Sequence, residues 1–495
     1  MSTRLALLAL FTATLPAADT LFDSPSPLPA PTGQIDQLVF DHLRALNIAP
    51  AALSSDAVFL RRAYLDTIGT LPTPDEAQKF LAHPDRAALI DALLTREEFA
   101  DYWANKWCDL LRVKAEFPIN LWPNAAQAYQ HWLRSAIREN KPYDRFARAL
   151  LTESGSNFRN PPVNFYRAMQ TRTPAGIAQT VALTFLGARA EKWPAAQLAD
   201  LAAFFSRTGF KETGEWKEEI VFFDPAKPAV PTAKFPDGTT VKLAPDQDPR
   251  EAFAAWLTAP KNPYFARAIV NRVWSWLLGR GIINEPDDIR ADNPPENPAL
   301  LAYLEQELID SHYDLRHIYR LILNSQTWQL SPVPRSDRAD AAAHFAYYPL
   351  RRLDAETLID ALNQITGTGE TYSSAIPEPY TFMPDDQRAV ALPDGSISSA
   401  FLELFGRPAR DTGLESERNN RLTDSQRLHL LNSSHVLNKL QQGPKLRQYL
   451  RQPQSLYLAI LSRYPTDDEK KLIARMQPID IAWTLINTTE FLYRH

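Results

Sequence analysis

The sequence of 495 residues has a single cysteine, Cys108. One thiol cannot form an internal disulfide, so stability has to come from packing. In WANKWCDLLRV (103–113) this cysteine falls among the apolar positions of a helical pattern and reads as a small buried hydrophobe. Glycine is also scarce, at 16 residues, which fits helices better than a turn-rich sandwich. The nine histidines are poorly spaced for metal: His312 and His317 stand five apart and His429 and His435 six. Two ligands on one helical face need a spacing of about three or four, and no HExxH is present, so surface or capping roles are expected and no metal site. Charge is balanced, with 53 Lys and Arg against 58 Asp and Glu for a net −5, so no nucleic-acid partner is expected. There is no GxSxG, no glycine-rich phosphate loop and no apolar run long enough for a membrane span.

What is present starts with MSTRLALLALFTATLPAA (1–18), in which Arg4 precedes an apolar run and then small residues. This is the layout of a secretory signal peptide, and it places the remainder in the periplasm or outside the cell. A Pro-rich tether over 19–34, containing FDSPSPLPAPTG, is expected to be extended and mobile.

Apolar residues then recur at helical spacing over 58–68, 87–94, 99–113, 125–137, 143–151 and 174–186, within an N-terminal helical domain spanning 35–218. Thr73 followed by Pro74, Asp75 and Glu76 marks one helix start, and Thr173 with Pro174 marks another. Residues 219–249 change to a Pro-rich connector, where Asp237 and Gly238 precede the alternating TTVKL and predict a small hairpin. Helical texture resumes in a C-terminal domain over 250–495, with strong runs at 262–278, 298–311 and 314–323. Within it, residues 367–399 are rich in Gly, Pro, Ser and acids and read as a lid or a disordered loop. The expected fold is mainly α, two helical lobes with a small β-hairpin in a Pro-rich connector.

Candidate chemistry is sparse. TESGS (152–156) reads as a polar loop after a helix. Acids cluster at Asp287 with Asp288, Asp385 with Asp386, and Glu415 with Glu417, but adjacency in sequence does not show two carboxyls facing one another across a substrate. NRVWSWLLGRGIINEPDDIRADNPP places Arg272, Arg280, Asp287, Asp288 and Arg290 around a helix end and loop, where ion pairs would fix the loop's shape. Trp103, Trp107, Trp122, Trp132, Trp274 and Trp276 lie in helical regions and are expected in the core.

Several longer strings carry a family resemblance. YLDTIGTLPTPDEAQKFL (64–81), NPYFARAIVNRVWSWLLGRGI (262–282), NPPENPALLAYL (293–304), DLRHIYRLILNSQTWQLS (314–331), FGRPARD (405–411) and the ending TEFLYRH resemble exported proteins of planctomycete and verrucomicrobial type. Those proteins carry domains of unknown function 1549 and 1553 in tandem, and many have a cytochrome c-like domain ahead of them. Relatives usually show a Cys-x-x-Cys-His segment between the equivalents of LGAR and KWPAAQLADLAAFF, and a Cys-Glu-Cys-Glu-Arg string after FGRP. Here Arg189 is followed by only Ala190 and Glu191 before Lys192, and the second string reads Leu414, Glu415, Ser416, Glu417, Arg418. The resemblance suggests two cysteine sites that worked together and were lost together, so no cofactor is expected. It implies an exported, cofactor-free helical scaffold or binding protein whose partner is another exported protein or a glycan, in a setting of polysaccharide breakdown. The alternative is a glycan-directed hydrolase or lyase using acids among Asp287, Asp288, Glu415 and Glu417, with recognition by Arg272, Arg290 and Arg418.

Overall fold

The computed structural model describes residues 21–24 and 29–495; the expected signal peptide lies outside them, and the tether lies partly outside. The fold is mainly α, with short strands in three small sheets. The periodic stretches become the helices Asp56–Ile68, Arg86–Leu94, Glu97–Leu110, Pro123–Arg138, Tyr143–Thr152, Phe265–Leu278, Pro298–Asp310 and Leu315–Asn324. Local chemistry sets their ends. The Thr73 hydroxyl accepts the Glu76 N–H while the Glu76 carboxylate accepts the Thr73 N–H, a reciprocal cap at the start of Pro74–Ala82. Helix Pro174–Val181 widens into a π turn, Ala182–Leu186, that ends on Gly187 in the left-handed region at φ 62°.

Helix Asp56–Ile68 is the central post of the molecule. Nearly all of it is buried, including Arg61, Arg62 and Asp66. Burial of charge is tolerable only with partners. Arg61 donates to the carbonyls of Ile460 and Phe491, each at 2.8 Å, and Arg62 donates to those of Trp328 and His495. Burial pulls both guanidiniums down to about 10.

The Asp237–Gly238 hairpin is present, pairing Thr232–Lys234 with Thr240–Lys242. A second β element was not legible: Thr208–Glu212 pairs with Glu219–Phe223, which also takes Gly155–Ser156 on its other edge. The TESGS loop thus ends in a strand. The connector does not separate two cores. One core runs from Ile35 to Tyr348 and adds Val390 and Leu458, and a second gathers residues from Leu353 to Leu492 together with Leu65 and Leu71 of the central post and its exit.

Two irregular stretches differ from expectation. The start of the tether is tied down: Asp23 bridges to Ser54, Ser55 N–H donates to the Phe22 carbonyl at 2.9 Å, and the Phe22 ring meets His495 edge-on. Residues 367–399 form a strap laid on the N-terminal helices. Gly395 N–H donates to the Val113 carbonyl, the Asp394 carboxylate accepts from Ala115 N–H, and the Glu116 carboxylate accepts from Ser374 and Ala375. Pairing of backbone groups along the strap replaces the freedom that its composition suggested.

Candidate functional site

The acids and arginines singled out at 272–290 and 415–418 lie near one another, and most of them serve the structure, whereas Asp385 and Asp386 line the larger cleft described below. Asp287 is buried against Arg272 at 2.6 Å, and its second oxygen accepts the Glu415 N–H, also at 2.6 Å. Arg272 also caps the π turn by donating to the carbonyls of Leu183 and Thr184. Asp288 and Arg290 sit at the rim, 3.4 Å apart. Glu417 turns back on its own loop and accepts from Asp411 and Thr412. Arg418 is buried between Asp109 and Glu356, with 2.7 Å to the latter.

Glu415 is the member that keeps acid character. Burial raises its carboxyl, against the opposing charge of Lys106 and a hydrogen bond from the Trp276 indole at 3.0 Å. The cavity that it shares with Lys106, Asp109 and Arg418 encloses only about 10 Å³, room for a single water. Trp103, Trp107, Trp274 and Trp276 are buried as expected, whereas Trp122 and Trp132 are half-buried. Cys108 is fully buried, which pushes its thiol up to about 12.

The loop after Gly281 lies against both positions where the resemblance places cysteines. Ile289 N–H donates to the Gly187 carbonyl at 2.8 Å and Arg189 pairs with Glu285 at 3.3 Å, while Asp287 holds the Glu415 N–H. Among the described residues no group of three or more His, Cys, Asp or Glu is arranged to hold a metal ion. His429 and His435 do touch, at 3.3 Å, and His435 binds Glu370.

Open space lies elsewhere, under the strap. Two clefts of about 870 and 520 Å³ adjoin at Asp101 and Gln387, which line both, and together they are called the groove. Its floor is helix Pro123–Arg138, from which Asn124, Gln127, His131 and Arg134 project at the three-and-four spacing of one helical face. Its opposite wall is the strap, held by the Gln127 amide donating to the Tyr380 carbonyl at 3.1 Å. Farther along, Asp360 lines the groove; burial raises its carboxyl to about 6, against Arg388 and the N–H groups of Ala389 and Val390.

Through Tyr380, which lines the smaller cleft, the groove adjoins an aromatic face. Trp122 packs on Trp216 at 4.6 Å and on Tyr380 at 5.5 Å between ring centroids. Trp216 is 63% exposed and Phe382 59%. Trp122 stands just before its helix at φ 69° and ψ 147°, a backbone region that costs a non-glycine residue of order 1–3 kcal/mol. The sequence signal for this face was faint: Trp216 sits in a polar turn, EW beside Lys217, away from any periodic helix.

With the geometry described, comparison with known proteins identifies the two halves. The model described as protein of unknown function (DUF1549) matches residues 34–207, and that described as protein of unknown function (DUF1553) matches 249–477. The chain carries both domains in tandem. No curated protein and no solved structure matches it. In this tandem DUF1549–DUF1553 chain, the groove runs between the matched segments, with Asp101, Gln127 and His131 from the first and Tyr380, Phe382 and Gln387 from the second. Buried charges lock the same junction: Lys106 pairs with Asp354 at 2.9 Å and Arg410 with Asp109 at 2.8 Å.

Proposed function

We propose that this protein binds a glycan chain in the groove between its two domains. The observation that carries the reading is the aromatic face of Trp122, Trp216 and Tyr380 at the mouth of a groove lined by planar polar side chains. Sugar rings present C–H faces that stack on aromatic rings and hydroxyls that pair with amides, imidazoles and carboxylates. Asn124 and His131 supply such groups, and Gln127 between them offers its amide oxygen while its NH2 holds Tyr380.

This reading is preferred over hydrolysis at Asp287, Asp288, Glu415 and Glu417. Asp287 has both oxygens engaged, Glu417 is committed to its loop, and the cavity beside Glu415 has no space for a sugar. Export, expected from the signal-like residues 1–18, would be in keeping with a polymeric ligand and with exported partners in polysaccharide breakdown.

The test is affinity electrophoresis through gels containing xylan, laminarin, alginate or carrageenan. Retardation by at least one polymer, lost in Trp216→Ala, is expected. Full mobility of the wild type in all four gels would refute glycan binding.

A further inference from the structure

A polymer that carries carboxylate or sulfate groups needs cations free to meet it, and arginine suits that task best because its planar fork matches such oxyanions. The arginines that line the groove are already committed to its own acids. Arg96 gives all three guanidinium nitrogens to carboxylates, Nη1 to Glu76 at 2.8 Å and Nε and Nη2 to Glu98 at 3.2 and 2.5 Å. Arg134 gives Nε to Asp101 at 2.5 Å and Nη2 to Glu97 at 2.9 Å. Arg388 lies 3.7 Å from the buried carboxylate of Asp360.

What is left over is mostly negative. Asp385 and Asp386 stand exposed in the strap and line the larger cleft, and no ion pair to either occurs among the described residues. Against them, Lys445 is the one lysine or arginine of the groove without an ion pair among the described residues. Carboxylates outnumber cations along the groove as a whole, so the field where a polymer would run is negative.

We infer that the groove takes an uncharged glycan and rejects polymers bearing uronate or sulfate groups, with Asp385 and Asp386 as the residues that set this choice; the inference rests on the glycan reading above. An ionised acid only accepts hydrogen bonds, every sugar hydroxyl can donate one, and bonds to a charged group are about twice as strong as neutral ones. The same carboxylates repel an acidic chain, and like charges brought together at an interface exclude the wrong partner. No arginine is free to compensate.

The experiment is affinity electrophoresis of the full chain through gels holding laminarin or xylan, each beside its carboxymethylated derivative, so that the backbone is shared and the charge differs. At least one neutral polymer is expected to retard the protein, with its carboxymethylated form binding at least tenfold more weakly. Asp385→Asn combined with Asp386→Asn keeps an acceptor at each position and removes the charge, and it is expected to narrow that ratio at least threefold. Asp467→Asn combined with Asp468→Asn changes the net charge equally at two exposed acids that do not line the groove, and it is expected to leave the ratio as it is. Equal or tighter binding of the carboxymethylated polymer, a ratio unchanged in the first double variant, or the same narrowing in both would overturn the charge selectivity while leaving the groove as a glycan site. Full mobility in the neutral and charged gels alike would refute glycan binding itself, and the selectivity with it.

Discussion

Arg410 Nε lies 2.8 Å from Asp109 Oδ1 across 301 residues of sequence, and the arginine is fully buried. Arg418 meets the other oxygen of the same carboxylate. Asp109 is therefore the hinge pin between the two domains, and its removal leaves two guanidiniums without that partner. We expect Asp109→Ala to cost about 3–5 kcal/mol, read as a lowered urea midpoint, and Asp109→Asn to cost less because it keeps one acceptor. A loss below about 1 kcal/mol for Asp109→Ala would show that Glu356 and Asn105 suffice.

Two buried acids give opposite pH dependences. Burial raises Asp360 from 3.8 to about 6, so the fold binds its proton more tightly than the unfolded chain, and this residue's contribution falls as pH climbs through that window. Glu356 is also pushed up by burial, but the charge and hydrogen bonds of Arg418 outweigh that and bring it from 4.5 down to about 2. Its contribution is present above 4.5 and is lost as pH falls toward 2. The stability of Asp360→Asn relative to the wild type should therefore rise by up to about 3 kcal/mol between pH 4 and above pH 6, on top of a constant loss because the amide can accept only one of the Ala389 and Val390 N–H groups. Glu356→Gln should cost stability at pH 7 and less at pH 3. Melting curves at pH 3, 4, 5.5 and 7 check both signs.

Trp216 is exposed and stacks only at its edge on Trp122. Trp216→Ala should leave the melting temperature within about 2 °C and weaken glycan binding by about tenfold, roughly 1.4 kcal/mol. Affinity electrophoresis and a melt on the same sample separate the two effects. A melt lowered as far as binding would assign the ring to packing.

Gly187 fixes how closely the 186–193 corner approaches the loop after Gly281. A Cβ there would stand 2.8 Å from Ile289 Cδ1 and 2.9 Å from the Pro286 carbonyl oxygen, at a φ of 62°. Gly187→Ala combines the left-handed cost with that clash, for a loss of about 2–4 kcal/mol. Urea unfolding measures it. An unchanged midpoint would mean that the corner and the loop can separate freely.

Local rules made much of the fold legible. Thr73 to Glu76 announced a helix start, Asp237 and Gly238 a hairpin, and the apolar spacing of 58–68 a helix, because each depends on neighbours within a few residues. The site was less legible because it depends on distant ones. Asp394 reaches Ala115 across 279 residues to seat the strap, and without that contact the groove has one wall. Composition alone made 367–399 look free, and helical context made Trp122 look like core, although a strained residue just before the helix faces outward. Ion pairs were expected among Arg272, Arg280, Asp287, Asp288 and Arg290 without saying which, and Asp287 and Arg272, 15 residues apart, form one of them.

The central post also ties late parts of the chain to an early one. The carbonyls that satisfy Arg61 and Arg62 belong to Trp328, Ile460, Phe491 and His495. Without those segments the middle of the N-terminal half would hold two buried cations lacking acceptors, so damage to residues 460–495 is felt at the centre of the molecule and not only where it is made.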